Sequence, residues 1–406
     1  MAMIGEAGKI GENIRSDCYV KIEIKDSGGI NLQIKSKVDF IYGDKIKELI
    51  TNGLDELGIK SADVYVEDYG SLDFVIAARL ECAVKRANPE IKKEFLLPPI
   101  QSFNSKSERE RLRRSRLYLP GNEPKYFLNA ALHKPDAVIL DLEDSVSPLE
   151  KDAARILVRN ALRSVDFGEC EKMVRINQGA LGLLDLEAVI PQNPHLILIP
   201  KVETGEHVRA VDAKINSIKK EKGLKSEFFL MPIIESALGC FEASYIASSS
   251  SNVVGLTIGL EDYTADIGAE RTKEGKESFW ARSIIVNAAR AAQVQPIDSV
   301  FSDVNDSEGL YQACLESKSM GFEGRGCIHP RQIPIIHEAF APSTKEIEKA
   351  KKIVLAFEEA EKKGLAVVSV GSKMVDPPVV KRALKTISTA EKIGILKSNW
   401  REEENG

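Results

Sequence analysis

The chain has 406 residues, 43% of them hydrophobic and 29% charged, with a formal net charge of −5. That length exceeds one small domain, and the balance is ordinary for a globular protein. The acidic excess argues against a nucleic-acid partner, and no apolar run approaches the roughly 18 residues of a membrane span.

The first residues, MAMIGEAGKIGENIRSD, lack the apolar core of a signal peptide. Cys18, Cys82, Cys170, Cys240, Cys314 and Cys327 form no C-x-x-C pair and read as buried thiols of a reducing compartment, the cytoplasm. YVKIEIK (19–25) and INLQIK (30–35) alternate on either side of Asp26-Ser27-Gly28-Gly29, a hairpin signal. KIKELITNGLDEL (45–57) has helical spacing with Gly58 just past its end. ADVYVED (62–68) alternates as a strand, and 71–86 reads as a helix opened by Ser71 as N-cap. The order ββαβα makes a small α+β domain over residues 1–90. The charged, Pro- and Ser-containing stretch over 91–112 reads as a linker.

From there the texture changes. Short apolar runs recur between helical stretches: RLYLP (116–120), AVILDLED (137–144), KMVRIN (172–177), LILIPK (196–201), FFLMPIIE (228–235), VVGLTIGLED (253–262), DSVFSDV (298–304) and GRGCIHP (324–330). Near-continuous apolar runs suit strands buried on both faces of a parallel sheet. Eight of them alternating with helices predict a (β/α)8 TIM barrel over 113–345. An open doubly wound sheet would want a Gly-rich turn after its first strand, which PGNEP matches poorly. A helix over 345–363 and a strand, turn and helix beyond it form a C-terminal extension, 346–406.

Most of the eight runs end in polar residues, and in a barrel those ends converge on one mouth. Glu235 and Asp262 end neighbouring runs as hard oxygen ligands for Mg2+ or as helix-capping acids. Asp141, Glu143 and Asp144 crowd the second run, with Glu143 the inward candidate. Arg175, inside VRIN, either forks onto a substrate carboxylate or bridges to these acids, and Lys201 has the same two readings. Arg113, Arg114 and Arg116 precede or open the first run, and Arg271 and Arg282 flank the helix after the sixth. They bind the phosphates of a thioester carrier or are solvated charge. His329 is an acid/base or a structural histidine.

RRSRLYLPG (113–121), DLEDSV (141–146), VRIN (174–177), IPKVET (199–204), IIESALG (233–239), GLEDYTADIGAERTKEG (259–275), HPRQI (329–333) and GSKMVDPPVVKRA (371–383) also carry a likeness. Over about 110–395 the chain resembles the citrate lyase beta subunit of the HpcH/HpaI aldolase and malyl-CoA lyase-like family. The resemblance implies a TIM barrel with Mg2+ on Glu235 and Asp262 and a substrate-binding arginine at Arg175. It also implies an aspartate at Asp376 that reaches a neighbouring subunit's site. FIYGDKIKELI (40–50) and DYGSLDFVIAARLECAV (68–84) resemble the citrate lyase acyl carrier (gamma) subunit. Its modified serine falls on Arg15, with Ser16 one place later, so Ser16 is the candidate for a CoA-derived prosthetic group.

The expectation is retro-aldol cleavage of a citryl thioester, with Asp376, Arg175 and Glu143 catalytic and Arg175, Arg114, Lys201 and Arg271 binding substrate. The expected partners are an acyl-CoA or acyl-carrier thioester, a citrate lyase alpha (transferase) subunit and further copies of the chain as a trimer or hexamer. A stand-alone malyl-CoA or citramalyl-CoA lyase and a non-catalytic thioester-binding scaffold are the alternatives.

Overall fold

A computed structural model describes residues 3–100, 106–362, 368–370 and 373–403. It divides into two compact units, Met1–Ile333 and Pro334–Gly406. Residues 101–105 of the expected linker, and Gly371 and Ser372 of the C-terminal motif, lie outside the described residues.

The first unit opens with β1 (Met3–Gly8), β2 (Cys18–Ile24), β3 (Ile30–Ser36), α1 (Asp39–Leu57), β4 (Ala62–Asp68) and α2 (Asp73–Ala87). The sheet order is β1-β2-β4-β3. The expected hairpin does not form, because β4 lies between β2 and β3, antiparallel to the first and parallel to the second. Ala62, Val64, Val66 and Asp68 make β4 buried at every second position, so it takes the interior place. β1 was not expected from a segment with two glycines and little β propensity. Gly5 lets β1 approach α2, since a Cβ there would meet the Ala83 carbonyl oxygen at 2.0 Å. Gly58 closes α1 in the left-handed region (φ 83°), as its position predicts. Ser71 is not the cap of α2. Leu72 holds that place, and the Ser71 backbone N–H donates to the Asp68 carboxylate.

The barrel runs through β5 (Ser115–Pro120), β6 (Ala137–Asp141), α3 (Lys151–Ser164), β7 (Glu171–Arg175), α4 (Gly179–Val189), β8 (Leu196–Ile199), α5 (Gly205–Lys222), β9 (Phe229–Ile234) and α6 (Ala237–Ala247). It continues through β10 (Gly255–Ile258), α7 (Leu260–Asp266), α8 (Phe279–Ala291), β11 (Gln295–Ile297), α9 (Ser307–Met320), β12 (Arg325–Cys327) and α10 (Gln332–Phe340). The order β11-β10-β9-β8-β7-β6-β5-β12 is parallel throughout, and a bridge from Asp298 to Arg325 joins its two ends. The eight-stranded TIM barrel expected from the apolar runs is therefore present. Its seventh strand lies just ahead of the predicted 298–304 run. Asp298 there is fully buried, held by Arg282 at 2.8 Å and Ser317 at 2.6 Å, and the chain then leaves the wall. Alternate residues of the strands, among them Ala137, Ile139, Met173, Leu198, Met231 and Ile233, fill the lumen.

The small domain is fastened to the barrel. α2 packs on α3, and Arg159 of α3 forks onto Glu81 of α2 at 3.0 and 2.6 Å, both side chains fully buried. The Glu81 carboxylate also accepts from the Phe95 backbone at 2.8 Å and pairs with Lys85. Arg86 pairs with Asp152 at 2.7 Å. Arg79 forks onto Asp17 and donates to the Asn122 carbonyl in the loop after β5.

In the second unit, α11 (Thr344–Lys362) packs on α12 (Pro377–Lys392) through Ile353, Val354, Ala383 and Ile387. β13 (Val368–Val370) and β14 (Lys373–Val375) form an antiparallel pair, and α13 (Trp400–Glu403) ends the described chain with Trp400 buried. All six cysteines are buried and unbridged. Among the described residues no helix is long and apolar enough to cross a membrane.

Glu81→Ala leaves the buried Arg159 with the half-exposed Glu94 at 2.7 Å as its remaining acidic partner among the described residues, which costs up to about 3–5 kcal/mol. Urea unfolding should show that loss, and Glu81→Leu with Arg159→Met should recover most of it.

Candidate active site

The inward positions of β6 are 137, 139 and 141, and those of β7 are 173 and 175. That alternation aims Asp141 and Arg175 into the mouth side by side. Arg175 Nε and Nη2 donate to the two Asp141 oxygens at 2.6 and 2.7 Å. Its Nη1 reaches Asp144 at 3.0 Å and Glu143 at 2.9 Å. Burial works against the charge on Arg175, but the Asp141 pair outweighs it and raises the pKa further. The bridging reading of Arg175 is thus the observed one.

Glu143 is buried among Arg175, Gln178 Nε2 at 3.0 Å and the Asp144 backbone N–H at 3.1 Å. Burial pushes its pKa up. Asp144 is half exposed; burial opposes its charge, but Glu143, Arg175 and Lys201 together hold its pKa down. Lys151 Nζ ties the strand-end loop by donating to the Leu142 and Glu143 carbonyls. Lys201 follows β8 with φ 49°, a left-handed conformation uncommon for lysine, and it aims its ammonium at Asp262 at 3.3 Å. Glu143 and Asp144 each lie 3.8 Å away. Burial alone would lower the Lys201 pKa, but these acids raise it.

Glu235 follows β9 and is 6% exposed. Its Oε2 is buried without a hydrogen-bond partner among the described residues. Burial, and then the Asp262 charge, push its pKa up to about 8. Gly259 makes room for it, since a Cβ there would sit 2.5 Å from Glu235 Oε1. Asp262, in the first turn of α7, is 44% exposed on its side chain. A desolvated carboxylate with an orphaned oxygen beside a second acid fits a hard divalent cation. Among the described residues no three of His, Cys, Asp and Glu converge as ligands, so an ion held by this pair would need water or substrate oxygens to complete its shell.

The other candidates are dispersed. Arg114 is not at the mouth. It precedes β5 at the opposite rim, forked onto Asp136 at 2.9 and 2.8 Å. Arg113 is buried there with Glu171. Arg271 lies on the mouth side, where it donates to the Val300 carbonyl at 2.7 Å and pairs with Glu261. His329 Nδ1 accepts from the Arg331 backbone, a structural role. Asp376, in the second unit, caps α12 by accepting from the Val379 N–H at 3.2 Å. Ser16 has φ 56°, with its N–H donating to the Tyr69 carbonyl. Sequence reading missed Gln178, Gly259 and Tyr118. The strand alternation, which puts 118 on the inward face of β5, was the available signal for Tyr118.

Residues 114–330 match the family described as HpcH/HpaI aldolase/citrate lyase. The chain belongs to that family. It is 40% identical over 296 residues to the citrate lyase subunit beta of Haemophilus influenzae, covering 72% of this chain and 100% of that one. It is 33% identical over 308 residues to the human mitochondrial citramalyl-CoA lyase, covering 73% and 91%. The CitE protein of Mycobacterium tuberculosis, solved with magnesium, acetoacetate and coenzyme A, aligns with a TM-score of 0.57 at 29% identity, over 70% of this chain and 99% of that one. Residues 7–87 match a carrier-type family described as malonate decarboxylase delta subunit. The chain is a carbon–carbon lyase with a carrier-like N-terminal domain.

With chelator present, Glu235 gives the protein a pH signature. Its folded pKa, pushed up to about 8, lies above the 4.5 of an ordinary glutamate, so the folded state holds the proton more tightly. That contribution is full below about pH 4.5 and is lost as pH rises through about 8. Thermal unfolding should therefore find Glu235→Gln more stable than wild type at pH 9, by on the order of 3 kcal/mol, and the advantage should vanish at pH 5. Gly259→Ala should lower turnover by more than about tenfold by displacing the Glu235 carboxylate, with unchanged circular dichroism.

Proposed function

We propose that this lyase cleaves a β-hydroxyacyl thioester into a 2-oxo acid and an acyl thioester, with Mg2+ held by Glu235 and Asp262. The observation that carries the reading is the buried, unpartnered Glu235 carboxylate beside Asp262 at the mouth. Relatives named as citrate lyase beta and citramalyl-CoA lyase support the thioester, and the magnesium-bound CitE structure supports the ion. When bound, the ion supplies Lewis acidity toward the carboxylate and hydroxyl oxygens of the substrate's 2-oxo acid half.

The protein's own groups do the rest. Lys201, drawn into the mouth by three acids, meets the incoming carboxylate. Arg175 offers Nη1 once the half-exposed Asp144 gives way, while Asp141 keeps the guanidinium plane fixed. The carbinol proton passes to a mouth carboxylate as its oxygen forms the new 2-oxo C=O, and the C–C bond breaks. The electron pair passes to the α-carbon of the thioester, which then takes a proton. Asp376 of a neighbouring copy is the proposed donor, by the resemblance of its motif, and Glu143 orders the acids around Arg175. Citryl thioester, giving oxaloacetate and an acetyl thioester, is the first substrate proposed. A homo-oligomer in the cytoplasm, working with a transferase subunit, would be its setting.

A second reading has its own support. The carrier-like domain is held to the barrel by the buried Arg159–Glu81 pair and by Arg86–Asp152, and Arg15 occupies the expected serine position. A lyase using free malyl-CoA or citramalyl-CoA needs no swinging arm. Intact mass decides between them: an adduct on Ser16 supports the carried substrate, and an unmodified chain that cleaves free CoA thioesters supports the second reading.

Citryl-, malyl- and citramalyl-CoA should be assayed with Mg2+ and with chelator. Asp262→Asn should lose at least about a hundredfold in rate, about 2.7 kcal/mol. Near-wild-type turnover in that variant would remove the metal assignment.

A further inference from the structure

Arg116 is 1% exposed and opens the inward face of β5. Its Nη2 donates to Thr257 Oγ1 at 2.9 Å on β10, and its Nη1 lies 3.1 Å from Met231 Sδ on β9. In the closed ring β9 is four strands from β5, on the opposite wall, so the guanidinium spans the lumen. Its Nε has no hydrogen-bond partner, and among the described residues Arg116 pairs with no carboxylate. An unpaired charge buried this deeply is expensive, and neutral partners offset little of the expense.

The next inward residue of β5 is Tyr118. Its ring packs on the lumen cluster and lies 5.3 Å from the Arg175 guanidinium carbon. Asp141 and Glu235 are near enough to act on it electrostatically. Its hydroxyl makes no hydrogen bond to the described residues.

We propose that Tyr118 is the floor of the substrate pocket, its hydroxyl donating to an oxygen of the 2-oxo acid half, and that Arg116 is a positioning residue whose charge beneath it draws that anionic half into the barrel. This rests on the lyase reading and adds a specificity element to it. Five carboxylates at the mouth (Asp141, Glu143, Asp144, Glu235 and Asp262) face Arg175 and Lys201. A cation on the barrel axis adds attraction for an anionic substrate from below, without neutralising the acids at the mouth. A dipolar hydroxyl between that cation and the mouth is oriented by the field to present its proton upward.

The test uses the full-length protein, with glyoxylate, pyruvate and oxaloacetate as probes, read by inhibition of thioester cleavage and by calorimetry. Tyr118→Phe should weaken 2-oxo acid binding about tenfold and raise the thioester KM more than it lowers kcat. Arg116→Met should weaken the same binding while unfolding at the same temperature as wild type or a higher one. Arg116→Lys should recover part of the affinity, and Arg116→Met added to Tyr118→Phe should bring little further loss. Wild-type 2-oxo acid affinity in Tyr118→Phe would overturn the proposal. So would an Arg116→Met protein that is less stable yet binds normally, because Arg116 would then be structural. If wild type cleaves no thioester but calorimetry still separates Tyr118→Phe from it, the lyase reading fails and the floor stands.

Discussion

A carboxylate held out of water, with one oxygen that no described residue hydrogen-bonds, is the constraint around which the mouth is arranged. Glu235 sits at the end of a buried strand, and the groove made by Gly259 fixes one oxygen while the other is orphaned. Folding alone would not favour this, since desolvating the charged form raises the pKa to about 8. The lumen beneath, packed with Ile139, Met173, Leu198, Met231 and Ile233, supplies the burial that lets the chain carry it. The neighbouring acids are treated differently. Asp141 is fully satisfied by the Arg175 fork and the Glu143 and Ser145 backbone N–H groups, and Asp144 and Asp262 stay half exposed where water screens them. The charge left uncompensated is thereby concentrated on one group, at the place where a divalent ion would be held.

The carrier-like domain bears on how substrate arrives. A carrier that delivers its cargo to distant sites needs a weak, reversible contact with each. The contact here is α2 against α3, with Glu81 and Arg159 fully buried and Phe95 inserted beside them. Ion pairs of that kind are poor at adding stability but severe when broken, so they fix one arrangement. Arg79 and Lys9 extend the contact to Asn122 and Glu123, in the loop that leaves β5 at the mouth rim. Any group borne by the segment around Ser16 would therefore work at a nearly constant distance from the same chain's site.

Much of this was legible in the residues. The eight apolar runs predicted the barrel because strands buried on both faces have no room for alternation, and the polar residues ending them predicted which rim carries chemistry. What was not legible turned on register and partnering. Asp141, Glu143 and Asp144 lie within four positions, and only the inward phase set by Ala137 and Ile139 selects Asp141 for Arg175. Arg114 looks the same as Arg175 in sequence, yet one strand length separates a bottom-rim fork onto Asp136 from a mouth residue. β1 was hidden because its glycines lower β propensity while serving a close approach to α2. The hairpin failed because sheet order is decided by which strand most needs the interior, a property of β4 and not of the turn.

Lys201, Glu235 and Arg116 each violate a local rule: a left-handed lysine, a carboxylate without a donor, and a guanidinium without an anion. Scattered through a protein, such features would look like tolerated defects. Here all three face the interior of one cylinder, with the negative group at its rim and the positive one below. Arg116 and Glu235 both act electrostatically on Tyr118, the next inward residue of β5 after Arg116. Burying each of these two groups costs stability that an apolar side chain would not. The stability forgone is consistent with a lyase site that must orient an anionic substrate before a carbon–carbon bond breaks.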